Sequence, residues 1–288
     1  MSWRITKDLE EYLAEAGDFL RSDPAGNTVP LSVTETLRAQ GADAYGSSAA
    51  EFGWWRTGDG DVGGVFLHTR PYPPLLSTMP VHAAQELAEI LAAGEVSLLG
   101  VNADQAVAQA FARAWESRTG AVSEVRMRQR LYRLERLEAP HPLPDGTPRV
   151  AAVSDHGLVL AWFEAFHQEA STPGGVNSTL VEDKISYGGV TLWEVEGVPV
   201  SLAGRTRIVA DMVRIAPVYT PPAHRCRGYG AAVTAHVTQS ALDAGAREVV
   251  LFTDLANPTS NSIYQRLGYR PVSDQLMLAF PGPRGGSD

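Results

Sequence analysis

The sequence predicts an α/β protein with mixed sheets, folded as two domains in tandem. Three observations carry this. The run Pro140-His141-Pro142-Leu143-Pro144-Asp145-Gly146-Thr147-Pro148 lies near the middle of the 288 residues. Its alternating prolines fix φ and remove backbone donors, so 140–149 reads as an extended linker. The flanking pieces, 1–139 and 150–281, are each close to a common domain size. Both show the order helix, strand, helix, strand at matching places, which points to a duplicated fold. Two unrelated α/β domains would give the same string.

In the first piece, amphipathic patterns predict helices over Asp8–Arg21 and Ser32–Gln40, then strands over Phe52–Thr57 and Gly63–Arg70. A helix from His82 to Ala93, the apolar strand Val96–Val101, a helix from Asp104 to Arg118 and a strand from Arg126 to Leu134 complete it.

In the second piece, Ser154 or Asp155 is the cap of a helix through Leu158, Trp162 and Phe166, followed by a short helical or irregular stretch over Asn177–Lys184. Val190–Val195 and Val198–Ala203 are β-rich and split by Glu196-Gly197, a hairpin signal. A long strand, Ile208–Val218, leads into a Pro/Gly turn. Beyond it Tyr229, Val233, Val237 and Ala241 recur every fourth residue, the stripe of a buried helix face that Gly245 stops. Val249–Thr253 reads as a buried strand. Asn257-Pro258 is an N-cap with proline in the first helical position, and Gly268 ends that helix. Gln275–Phe280 is expected as a last strand and Pro281–Asp288 as an unstructured tail.

Composition excludes several classes. With 44% hydrophobic and 20% charged residues the chain lies in the globular range. No apolar run approaches the roughly 20 residues needed to cross a bilayer, and the start has no apolar signal core. The expected address is the cytoplasm, without a membrane partner. The lone Cys226 excludes a disulfide framework and a cysteine-based zinc cage, and the seven histidines show no metal-ligand spacing. A net charge of −9 argues against nucleic acid as partner and is compatible with attracting cationic amines.

The most informative segment is Ile215-Ala216-Pro217-Val218-Tyr219-Thr220-Pro221-Pro222-Ala223-His224-Arg225-Cys226-Arg227-Gly228-Tyr229-Gly230. A strand ends, prolines bend the chain, and basic and glycine residues open a helix. Helix starts leave N–H groups unpaired and carry partial positive charge, and glycines let backbone approach a diphosphate closely. Arg225 and Arg227 add formal charge. The P-loop ending Gly-Lys-Ser/Thr and the dinucleotide glycine spacing are both absent.

This segment resembles motif A of the GNAT acetyltransferase superfamily, whose Arg/Gln-x-x-Gly-x-Gly/Ala pattern wraps the diphosphate of acetyl-CoA. Arg225, Gly228 and Gly230 fill the pattern positions. The resemblance implies backbone contacts from Cys226, Arg227, Tyr229 and Ala231, and pantetheine held by main-chain groups of Ile215–Thr220, Val218, Tyr219 and Thr220 included. Many members have glycine where this chain has Cys226. Downstream, Asn257, Ser260, Tyr264, Gly268 and Tyr269 match the family's Asn-x-x-(Ser/Ala)-x-x-x-Tyr-x-x-x-Gly-(Phe/Tyr). By resemblance Asn257 contacts the pantetheine or an ordered water, Ser260 and Asn261 join the cofactor-binding residues, and Tyr264 protonates the departing thiolate. A phenol near pKa 10 can donate to such a thiolate within hydrogen-bond reach.

A base must take the amine's proton. Asp211 and Glu194 are the candidates, and a water chain is the alternative; Arg214 stands where some relatives have glutamate. Backbone N–H groups near Val218 are expected to stabilise the oxyanion. The first piece lacks both motifs: Pro74–His82 has no glycine or arginine, and the helix after Asn102 has no tyrosine. It reads as a degenerate GNAT-like domain that lost its cofactor site. The expected activity is acetyl transfer from acetyl-CoA, as cosubstrate without a metal, to an amine of a small molecule or peptide, by a monomer or homodimer. A non-catalytic acyl-CoA sensor and a transferase for longer acyl-CoAs are the alternatives.

Overall fold

The computed structural model describes residues 1–46, 48–94, 96–170 and 175–281. The chain divides into two compact units, neither continuous in sequence. The first holds Met1–Pro30, Tyr45–Arg130 and Ser273–Asp288; the second holds Leu31–Ala44 and Leu131–Val272.

The first unit opens with β1 (Ser2–Thr6) and α1 (Leu9–Ser22). The Asp8 carboxylate caps α1 by accepting from the N–H groups of Glu10 and Glu11. After α2 (Thr28–Gln40), which passes into the second unit at Leu31, come β2 (Glu51–Arg56), β3 (Val62–His68), β4 (Leu75–Leu76), α3 (Val81–Ala93), β5 (Gly100–Asp104), α4 (Gln105–Thr119) and β6 (Glu124–Leu134). Strands β1 to β5 are neighbours in that order, and β5 pairs antiparallel with residues 275–279 of β12 (Tyr269–Ala279). Apolar faces of α3 and α4, with Leu87, Ala88, Phe111 and Trp115, bury Trp55, Phe66, Val101, Leu276 and Leu278.

The second unit runs through β7 (Thr147–Val150), α5 (His156–Glu169), α6 (Ser178–Ser186), β8 (Val190–Val195), β9 (Val198–Arg205), β10 (Met212–Tyr219), α7 (Tyr229–Asp243), β11 (Glu248–Asp254) and α8 (Pro258–Arg266). Its strand order is β7-β8-β9-β10-β11-β6. Each unit contains a parallel pair, β4 with β5 and β10 with β11. A helix, α3 or α7, makes the crossover that a parallel pair requires. The predicted stripe of α7 packs as expected, with Val233, Val237 and Ala241 against Val213, Ile215, Val249 and Leu251. On the opposite face α5 and α6 cover Leu192, Leu202 and Tyr219.

Several expectations change. The boundary between units does not follow the division 1–139 and 150–281. In the first unit β5 is neighboured by β12, and in the second β11 is neighboured by β6, so the strand completing each sheet comes from the other half of the sequence. Strand periodicity says which face is buried, not which edge a strand joins. The segment 140–149 is part of the second unit: Thr147–Val150 pairs with Thr191–Glu194, and the Trp193 indole donates to the Asp145 carbonyl at 2.9 Å. Its prolines are tolerated because β7 is an edge strand.

The strand expected over Val96–Val101 begins at Gly100, where register with Leu278 and Ala279 sets it. Its start is crowded: a Cβ on Gly100 would lie 2.0 Å from the Leu278 carbonyl oxygen. The long strand over Ile208–Val218 begins only at Met212. Ala210 and Asp211 have φ of 50° and 59° and form a tight turn, across which Val209 and Met212 exchange both backbone hydrogen bonds. β1, paired with β2, and the full length of β12 were not expected from the pattern. Of the tail, residues after 281 lie outside the described residues.

Candidate active site

Strand β10 leaves its parallel neighbour partway along. Pairing with β11 runs from Met212↔Glu248 to Ile215↔Leu251 and goes no further among the described residues, so Ala216–Tyr219 diverges from Phe252–Asp254. On its other side β10 stays paired with β9 through a bulge between Ile215 and Val218, ending at Tyr219↔Leu202. The result is a gap edged by main-chain groups on both strands.

At the mouth of this gap the chain turns. Thr220 is fixed by Ser201, whose hydroxyl lies 2.8 Å from Oγ1 of Thr220 and donates to the Tyr219 carbonyl at 3.0 Å. A short 3-10 turn over Pro222–His224 follows, and Arg225–Gly228 is exposed. Cys226 has φ of 61° and Gly228 φ of 83°. Both lie in the left-handed region, which Gly228 adopts freely and Cys226 only at a cost. This geometry explains why glycine suits the position that cysteine holds here. It also opens α7, whose first N–H groups, from Tyr229, Gly230 and Ala231, have no partner within the helix. Arg227 is exposed on the same turn.

The Arg225 side chain does not extend into solvent. Its Nε donates to the Thr220 carbonyl at 2.9 Å, and its Nη2 reaches both carboxylate oxygens of Glu169 at the end of α5. The Tyr219 hydroxyl donates to the same carboxylate at 3.2 Å, with the Trp162 ring 6.1 Å away. Burial, then the Glu169 charge, pushes the Tyr219 phenol upward. Glu169, Ser201 and Trp162 carry no motif; only the fold brings them to the turn.

The second motif lies on α8. Asn257 caps the helix by accepting from Ser260 N–H at 3.1 Å, with Pro258 in the first helical position. Asn261 donates to the carbonyls of Asp254 and Asn257 at 2.8 and 2.7 Å and accepts from the Tyr132 hydroxyl at 3.0 Å. Gln265 in turn donates to Tyr132. Tyr264 is 9% exposed and packs edge-on to Tyr269 at 6.2 Å. Its hydroxyl makes no hydrogen bond among the described residues, and burial pushes its pKa up to about 12. The phenol therefore keeps its proton throughout the working pH range.

The two proposed bases are each held by an arginine. Asp211 sits in the turn before β10, 61% exposed and 3.4 Å from Arg247. A rise of about 3.3 Å per residue carries Tyr219 roughly 25 Å along the chain from it. Glu194 on β8 accepts from Nε and Nη2 of Arg149, which also grips Asp155. That arginine fork holds β7, β8 and the start of α5 together. Arg214 lies on the α6 side of β10 and donates to Ser32 Oγ at 3.0 Å.

Among the described residues no group of three or more His, Cys, Asp or Glu could hold a metal ion, and no helix is long and apolar enough to cross a membrane. Residues 156–269 match the model of the acetyltransferase (GNAT) family. No curated protein matches the sequence. A GCN5-related N-acetyltransferase from Sphaerobacter thermophilus superposes with TM-score 0.62 at 18% identity, covering 98% of this chain and 97% of that one. One from Kribbella flavida gives 0.54 at 23% identity, covering 77% and 89%. A tandem GNAT protein from the clavulanic acid biosynthesis pathway gives 0.58 at 14% identity, covering 99% and 100%. These structures share the fold, a mixed α/β architecture with a central mixed sheet. The segment matched to the GNAT family runs from α5 to α8 and includes β10, the glycine turn, α7 and β11.

Proposed function

We propose that the second unit transfers an acetyl group from acetyl-CoA directly to an amine. The observation that carries this is the end of the β10–β11 ladder at Ile215↔Leu251, next to a left-handed turn opening α7. The residues present fit the cosubstrate. An exposed helix start with Gly228 as its cap suits a diphosphate, and the diverging strands leave main-chain groups for an amide-bearing pantetheine arm.

When bound, acetyl-CoA supplies a thioester carbonyl open to attack. The chain's own groups do the rest. Backbone N–H groups of Cys226–Ala231 hold the diphosphate. Val218 and Tyr219 line the arm and place N–H groups near the carbonyl oxygen as it gains charge. Tyr264 holds a proton on Oη, ready for the departing sulfur. With Asp211 and Glu194 tied to Arg247 and Arg149, the amine loses its proton to water. The first unit, which lacks the basic glycine turn, is proposed as a degenerate GNAT-like domain, an arrangement that the tandem clavulanic acid relative's description supports.

The test is a mass-spectrometric screen of amines with acetyl-CoA, with free thiol as the second readout. An acetylated product and equimolar thiol are expected. CoA binding by calorimetry with no thiol released from any amine would turn the reading to a sensor.

A further inference from the structure

We infer that the first unit binds the ammonium group of a small primary alkylamine, in a cleft at the ends of β4 and β5. The parallel ladder between these strands stops at Leu75↔Asn102. Beyond it the chain after Leu76 leaves β4, while Ala103 and Asp104 continue β5. The carboxyl ends of parallel strands are where α/β sheets leave crevices for ligands. Here the crevice measures about 350 Å³ with its open mouth included. Asp104, Gln275 and Thr78 form its polar side and Val29, Pro30 and Leu75 its apolar side, all within the first unit. Its enclosed depth has room for roughly one water-sized group.

The polar side wants hydrogen-bond donors. Asp104 and Gln275 are cross-strand partners, so both side chains leave the same face of the sheet. The alternate residues, Ala103 and Leu276, go to the core on the other face. Gln275 is 9% exposed, and its Oε1 is buried with no hydrogen-bond partner among the described residues. Rotation about its last side-chain bond sets which amide atom meets the cleft, and a donor there selects the oxygen. Asn102 Oδ1, two residues back on that face of β5, is buried without a partner as well. The Asp104 carboxylate accepts from the Thr78 hydroxyl and has no cationic partner among the described residues. One face thus holds a formal negative charge and amide oxygens that lack donors, an arrangement that costs free energy until a donor arrives.

An alkylammonium brings three donors and one positive charge in a group about the size of a water molecule. One donor goes to Asp104 and one to Gln275 Oε1. The third goes to Thr78 Oγ1, which donates its own proton to Asp104 and still accepts. The alkyl chain leaves along Val29, Pro30 and Leu75. Asp104 repels anions, and a guanidinium or a quaternary ammonium exceeds the enclosed space. The inference does not rest on the transferase reading, because every residue in it belongs to the first unit.

The test is n-butylammonium titrated into the full, isotopically labelled chain at constant ionic strength. It is followed by nuclear magnetic resonance on the Gln275 side-chain amide, whose signals Gln275→Leu identifies by their loss. That readout is local, so an amine held only by the second unit does not register in it. Saturable movement is expected with n-butylammonium. None is expected with tetramethylammonium, which has the charge without N–H donors, or with n-butanol, which has the chain without the charge. Asp104→Asn keeps an acceptor for Thr78 and should weaken n-butylammonium about tenfold, through loss of a charge-assisted hydrogen bond. Signals that stay still, or that move alike with tetramethylammonium, mean that the cleft holds only water and overturn the site. Equal affinity in folded Asp104→Asn overturns it too. Should that variant fail to fold, the contrast between the two cations in the wild type decides alone.

Discussion

Arg225 and Glu169 are joined through a single nitrogen, with Nη2 of the arginine 2.8 and 2.6 Å from the two carboxylate oxygens. The arginine that fills the phosphate-motif position is thus anchored to the end of α5, and its Nε closes the turn on the Thr220 carbonyl. It shapes the turn and shares its positive charge with a carboxylate.

Glu169→Gln should therefore strengthen coenzyme binding. The pair is 43% and 47% exposed, so its loss costs under about 1 kcal/mol of stability. Removing one negative charge beside the turn should tighten CoA several-fold at low salt, with the gain fading as salt screens it. Calorimetry at two ionic strengths measures this. An unchanged dissociation constant at low salt would place Arg225 outside the field of the diphosphate.

Gly228 and Gly230 should separate backbone conformation from space. At Gly228, φ of 83° and a nearest neighbour at 3.7 Å mean that Gly228→Ala suffers from conformation alone, about 1–2 kcal/mol. It should also lose CoA affinity as the turn relaxes. At Gly230, inside α7, the nearest atom is Thr220 Oγ1 at 3.4 Å, an ordinary contact. Gly230→Ala should gain roughly 0.5–1 kcal/mol from helix propensity and retain CoA. Thermal melts with and without CoA test both, and a destabilised Gly230→Ala would contradict the packing described.

Tyr264→Phe should fold and bind CoA like the parent yet lose about a hundredfold in kcat, the usual size of a general-acid contribution. Because the phenol is pushed up to about 12, its ionisation should cut no descending limb into the pH–rate profile below pH 10. With water as proton acceptor, kcat/KM should instead climb with pH toward the pKa of the amine. A bell with a limb near neutrality, or an undiminished Phe variant, would remove the tyrosine from this role.

Lys184 makes a stability prediction independent of activity. The folded protein releases its proton near 7, whereas an unfolded lysine keeps it to about 10.4. Between these values the unfolded chain binds more protons, so this group makes stability rise with pH from about 7 to about 10. The difference between wild type and Lys184→Gln in denaturant midpoint should grow in favour of wild type over that window. A difference independent of pH would mean that Lys184 is charged in the native protein.

The sequence alone determined the local architecture and the motif chemistry. Asn257-Pro258, the four-residue stripe of α7 and the basic glycine turn each depend on neighbours in the chain, through caps, helical period and left-handed φ, and such features are written locally. Tertiary structure decided the rest. Which strand closes each sheet, β12 beside β5 and β6 beside β11, depends on edge partners far away in sequence. The pairing of Asp211 with Arg247, of Glu194 with Arg149 and of Arg225 with Glu169 has the same origin. Charge pairing acts through space, and no spacing along the chain encodes a contact between residues that only folding brings within 3 Å.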